Sequence, residues 1–128
     1  MSSRQRKVSE RAPARRPARQ PSTPPAPAAA FCPRFHRAVE LIGRRWSGAI
    51  LRALMGGSKR FNEMLAEVPG LSDRLLSERL REFEAAGLVR RDVDAGPPVC
   101  VRYTLTPAGR DLEPVIGQLG TWAERWIK

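Results

Sequence analysis

GSKRFNEMLAEVPGLSDRLLSERLREFEAAGLVRRDVDAGPPVCVRY, residues 57–103, is the stretch whose reading decides the fold. Phe61, Met64, Leu65 and Val68 recur at helical spacing and predict a short helix over Phe61–Val68, closed by Pro69-Gly70. Ser72 followed by Asp73 signals the start of a longer helix, since a hydroxyl caps the free amides and a carboxylate suits the positive end of the dipole. Taking about 100° per residue, Leu76, Leu80 and Phe83 share one side, which Gly87 closes. Arg74, Glu78 and Arg81 lie near the opposite pole, with Ser77 at the margin. The period then changes to two. Leu88–Val93 predicts a strand carrying Arg90 and Arg91, and DAGPP predicts a turn. On the returning strand Val99, Val101, Tyr103 and Leu105 occupy one side, and Cys100, Arg102 and Thr104 the other.

Upstream, Phe35, Val39 and Ile42 predict a helix over Pro33–Ile42, with Pro33 in the first turn and Gly43 ending it. A second helix is expected over Trp46–Met55, stopped by Gly56-Gly57. Downstream, Thr106-Pro107 opens what reads as one final helix, whose Leu112, Val115, Ile116, Leu119, Trp122 and Trp126 step by three and four. The expected fold class is mainly α with a small β-hairpin, an α+β arrangement.

The charge is strongly positive and unevenly placed. The chain has 128 residues and a net charge of +10, yet residues 1–30 alone carry seven arginines and lysines against Glu10. That segment also holds six prolines and no aromatic residue, so it cannot bury enough apolar surface to offset its ordering entropy. We read residues 1–30 as a disordered basic tail and residues 31–128 as the folded domain. The tail is either a solubilising extension or an arm that adds non-specific affinity for polyanions through counterion release. No run approaches the ~18 apolar residues of a membrane span, and the N-terminus lacks the apolar core of a secretory signal, so a cytoplasmic location is expected.

A short helix, a turn, a longer helix with outward arginines and a basic hairpin make a winged helix-turn-helix, a shape that enters the major groove and grips the flanking phosphates. Arginine offers guanine a bidentate fork, serine meets bases or phosphates, and glutamate accepts from a cytosine amine. Arg74, Ser77, Glu78 and Arg81 are therefore the candidate base readers. Lys59, Arg60, Ser72, Arg91 and Arg102 are the candidates for the DNA backbone, with Ser72 also serving as a cap. The plainer account is a solvated face on which Arg74, Arg79 and Arg81 pair with glutamates such as Glu78. That account leaves the preceding helix, the Pro-Gly turn and the hairpin without a purpose.

The pieces FCP, LIGRRWSGAILRAL, KRFNEM, PGLSDRLLSERLREFEAAGLVRR and VRYTLTPAGRDL, in this order over Phe31–Lys128, resemble the HxlR-type winged-helix transcriptional regulators of bacteria. The resemblance implies a homodimer on an inverted repeat of promoter DNA, with one recognition helix per half-site and the first and last helices forming the dimer interface. Phe35, Leu119, Trp122 and Trp126 are the residues expected there, the last three forming more apolar stripe than a domain this small needs to cover itself. Arg102 departs from relatives that carry glutamate before the wing tyrosine, which adds charge to the wing.

The resemblance also makes Cys32 a candidate sensor, because relatives with a cysteine there react with aldehydes, quinones or oxidants. A thiol at a helix N-terminus beside Arg34 and His36 sits in positive potential that favours such chemistry, although a half-buried inert cysteine would look the same in sequence. Cys100 is read as structural, with an intersubunit disulfide to Cys32 as the alternative. Catalysis is not expected: His36 is the only histidine, and there is neither a phosphate-binding glycine loop nor a metal-ligand pattern, so no cofactor is expected. The rival to a sequence-specific repressor is a non-sequence-specific architectural DNA-binding protein.

Overall fold

Helix-forming segments separated by glycine and proline produce six helices and one hairpin, described over residues 30–128 in a computed structural model. In order these are α1 (Pro33–Ile42), α2 (Ser47–Met55), α3 (Phe61–Glu67), α4 (Asp73–Ala85), β1 (Val89–Asp94), β2 (Cys100–Leu105), α5 (Pro107–Arg110) and α6 (Glu113–Trp126). The basic tail assigned to residues 1–30 lies, up to residue 29, outside the described residues.

The core of residues 37–128 is made by the periodic positions. Ile50, Leu51 and Leu54 of α2, Met64 of α3, and Leu76, Leu80 and Phe83 of α4 are sealed from solvent. Leu88, Val89 and Leu105 from the base of the hairpin and Ile116 from α6 join the same cluster. The helix-turn-helix pair thus has its inner faces buried, and the orientation of α4 is set by where Leu76, Leu80 and Phe83 must go.

Local chemistry fixes the joints. Ser72 Oγ accepts from the Leu75 amide at 3.1 Å and starts α4. Gly87, at φ 80°, ends it: the Gly87 amide donates to Glu84 and the Leu88 amide to Phe83, the paired bonds of a Schellman cap. β1 and β2 pair antiparallel from Val89↔Leu105 to Asp94↔Cys100. The sequence did not suggest that Lys59 also bridges Tyr103, with amide–carbonyl bonds of 3.0 and 2.8 Å that tie the α2–α3 loop to β2. Thr106 closes the base of the wing, its hydroxyl donating to Gly87 O at 2.6 Å and accepting from the Gly109 amide. A Cβ on Gly109 would lie 2.2 Å from the Leu88 carbonyl oxygen, so only glycine fits there.

Beyond one-residue shifts at the ends of α3, β1 and β2, two differences from expectation have a clear physical content. The single final helix is two, α5 and α6, broken at Asp111-Leu112. Pro114 has no amide to give the preceding turn and its ring would strike that turn's carbonyl, so the helix restarts with Pro114 in its first turn. Trp46 is not in α2 but precedes it at φ 73°, a left-handed conformation that costs a non-glycine residue roughly 1–2 kcal/mol.

The first described residues are organised locally. The Cys32 carbonyl accepts from the His36 amide at 3.0 Å, the Phe31 and His36 rings lie 5.3 Å apart, and Cys32 is exposed.

Candidate nucleic-acid interface

The burial of α4 on one side dictates what it presents on the other. The Arg74 side chain is 84% exposed and Arg81 is also exposed, while Ser77 and Glu78 are half-buried at the margin. Arg74 Nε lies 3.4 Å from Glu78 Oε2, an i,i+4 pair. An exposed pair of this kind contributes about 0–1 kcal/mol, less than the ~1–3 kcal/mol of a bidentate contact to guanine, so it is easily exchanged for a base. Ser72 and Asp73 are exposed at the helix start. The capped Ser72 hydroxyl accepts from Leu75 and keeps its own proton for a further acceptor.

Arg79 does not belong with Arg74 and Arg81. It is buried, donating from Nε to the Arg45 carbonyl at 2.9 Å and from Nη1 to Glu82 Oε2 at 3.2 Å. Counting it on a solvated face is corrected by the packing of the α1–α2 turn against that side of α4.

Lys59 is likewise engaged. Its ammonium donates to the Ala53 carbonyl at 3.0 Å, near the end of α2, and pairs with Glu67 at 3.1 Å, leaving the side chain 16% exposed. Its neighbour Arg60 is exposed at the start of α3, where its amide donates to Glu63 Oε1 at 2.7 Å. That bond, with Arg60, Arg102 and Lys59 nearby, holds the Glu63 carboxyl below its ordinary range.

On the hairpin, Arg91 and Arg102 are both exposed, but they are not brought together. Arg91 pairs across the ladder with Tyr103 and Arg102 with Asp92, so they point to opposite faces. Arg90 grips Asp92 with two bonds of 2.8 and 3.1 Å, which depresses the Asp92 carboxyl, helped by Thr104. Asp92 and Asp94 leave the outer half of the wing without the positive excess of its base. Cys100 is half-buried and lines a groove of about 430 Å³ with Arg60, Phe61 and Glu63.

At the candidate sensor position, Cys32 Sγ accepts from the Phe35 amide at 3.4 Å, placing the thiol at the N-cap of α1. Phe35 is exposed, as are Val115, Leu119, Trp122 and Trp126 along α6. Among the described residues no helix is long and apolar enough to cross a membrane, and no group of side chains could hold a metal ion.

A family model described as HxlR-like helix-turn-helix matches residues 41–128. The uncharacterized HTH-type transcriptional regulator YvaP of Bacillus subtilis is 47% identical over 96 residues, covering 75% of this chain and 89% of that protein. The reduced form of the transcriptional regulator YodB from B. subtilis is 39% identical with a TM-score of 0.70, over 77% of this chain and 97% of its own. The redox regulator HypR in its oxidized form is 38% identical with a TM-score of 0.70, over 76% of this chain and 99% of its own. By this match over most of its described length, the chain belongs to the HxlR-like helix-turn-helix family of DNA-binding transcriptional regulators.

Proposed function

We propose that the chain is a repressor that binds a palindromic operator as a homodimer in the cytoplasm and is released when Cys32 is modified. The observation that carries the DNA half of this reading is the division of α4 into a sealed apolar side and an exposed side bearing Arg74 and Arg81. Arg74 and Ser77 reach deepest, because recognition helices enter by their N-terminal half; Glu78 and Arg81 complete the reading surface. Arg60, Ser72, Arg91 and Arg102 hold the DNA backbone, Arg91 and Arg102 from opposite faces of the wing. Lys59, whose ammonium is taken by Ala53 and Glu67, acts by holding α3 to α2.

Selection of bound duplexes from a random pool, followed by footprinting, tests this. A short protected palindrome with half-sites about one helical turn apart is the expected result. Equal affinity for every duplex would establish the architectural alternative. Arg74→Ala should cost about 1–3 kcal/mol on the selected duplex and relax its sequence preference at one position per half-site. Retention of the parent's full discrimination would remove Arg74 from the reading surface.

For the signal, the support is the exposed Cys32 thiol at a helix N-terminus. YodB has been crystallised diamide-treated and quinone-bound, and HypR is described as a redox regulator. Modification of Cys32 would alter the start of α1 and, through the dimer, the spacing of the two recognition helices. The parent should lose operator binding on treatment with a quinone or diamide, and Cys32→Ser should hold the operator under the same treatment. Release of the serine variant by either reagent would rule the thiol out.

A further inference from the structure

We infer that Arg79 is a positioning residue for operator recognition: its buried guanidinium clamps α4 to the strained α1–α2 turn and so sets the pitch of the reading face. The inference rests on the assignment of base reading to α4.

A single arginine joins two elements 34 residues apart in the chain. Nε donates to Arg45 O, while Nη1 meets Glu82 Oε2 at 3.2 Å and Glu78 Oε1 at 3.7 Å. Arg44, from the same turn, reaches Glu82 Oε2 at 3.4 Å, so the turn and the helix are linked by two routes. Within the turn, the Ser47 amide bonds Arg44 O and the Ile50 amide bonds Trp46 O, and Arg45 O is taken by the side chain from α4. The next residue, Trp46, is the one non-glycine residue with positive φ among those described. Its ring edge lies where a Cβ on Gly70 would come within 3.2 Å, against the turn between α3 and α4. The α1–α2 turn therefore touches the recognition helix through Arg79 and the helix-turn-helix turn through Trp46.

Stability alone does not account for this arrangement. Burying a guanidinium is costly unless its partners satisfy it fully, and the carboxylate it meets, half-buried Glu82, has its Oε1 without a hydrogen bond. What the fork supplies is direction. With Leu76, Leu80 and Phe83 seating α4 on the core, a planar group with fixed donor angles, bonded from Nε to Arg45 O and from Nη1 to Glu82 of the same helix, narrows the rotation that this apolar seating leaves open. Because Glu78 and Arg74 pair on the adjoining arc, the rotation fixed at Arg79 decides where the Arg74 side chain points.

The test compares full-length variants on a duplex selected by the parent and on a random-sequence duplex, over a range of salt, with affinities scaled to the folded fraction. Arg79→Lys keeps a charge for Glu82 but loses the planar group that bonds Arg45 O from Nε while Nη1 holds Glu82. It should lower discrimination between the two duplexes about tenfold while the salt slope stays at the parent's value. Glu82→Gln leaves the Nε bond in place and should keep discrimination within about twofold. Parental discrimination in Arg79→Lys overturns the clamp, as does an equal loss in Glu82→Gln. A salt slope lowered by about one in Arg79→Lys overturns it too, since that would make Arg79 a phosphate contact. Arg74→Ala is the control: if it keeps full discrimination, the base-reading assignment fails, whereas its loss beside an unaffected Arg79→Lys condemns the clamp alone.

Discussion

With α6 at the interface of the proposed homodimer, Trp122→Ser is expected to yield a folded monomer that sediments at half the mass of the parent and binds the selected duplex orders of magnitude more weakly. Trp122 is 54% exposed in the single chain, and with Val115, Leu119 and Trp126 it forms an uncovered apolar stripe on α6. Large aromatics at the centre of an interface cost about 2–4 kcal/mol when truncated. A two-fold interface uses the same residue from both subunits, so one substitution is counted twice, roughly 4–8 kcal/mol, or about 10³- to 10⁶-fold in the dimer constant. The monomer loses little, because Trp122 contributes nothing to the sealed core. Each freed chain would hold a single half-site, and the advantage of linked binding disappears. A Trp122→Ser protein that still sediments as the parent dimer would remove α6 from the interface.

Phe83→Ala should lower stability by about 3–5 kcal/mol, the cost of a large cavity in a close-packed site. Phe83 is fully buried in the same core cluster as Leu76, Leu80, Leu88 and Ile50, and its carbonyl also takes the Leu88 amide that closes α4. In a domain of this size each kcal/mol moves the melting temperature by about 4–8 °C, so a fall of at least ~12 °C is expected. The comparison needs equal protein concentrations, because the proposed dimerisation would stabilise by mass action. The expected contrast between the two variants is informative: Phe83→Ala lowers the melting temperature, whereas Trp122→Ser spares the folded monomer and abolishes assembly. A loss below ~1 kcal/mol for Phe83→Ala would mean that α4 is not seated on the core as described.

The exposed polar face of α4 was legible in the sequence because a helix of known phase turns its apolar side inward wherever it packs. Leu76, Leu80 and Phe83 announced that side, and Arg74 and Arg81 follow by geometry. Cys32 was legible as a helix-start residue for the same local reason. Lys59 and Arg79 were not legible. Their type and spacing suit a solvated cation equally well, and their buried roles depend on carbonyls and carboxylates brought alongside by other elements. The opposed faces of Arg91 and Arg102 became definite only with the hairpin register.

The amino-acid order by itself determined α1 residue for residue and the extents of α2, α3, α4 and both strands to within a residue or two. Those properties depend on backbone preference, capping and periodicity within a few neighbouring residues. Tertiary structure alone decided that the α2–α3 loop is bonded to β2, that Trp46 is held left-handed, and that a buried arginine links the α1–α2 turn to α4. The first and last of these join groups distant in the chain, and whether a polar side chain stays in water or finds an internal partner is settled by where the folded chain brings that partner.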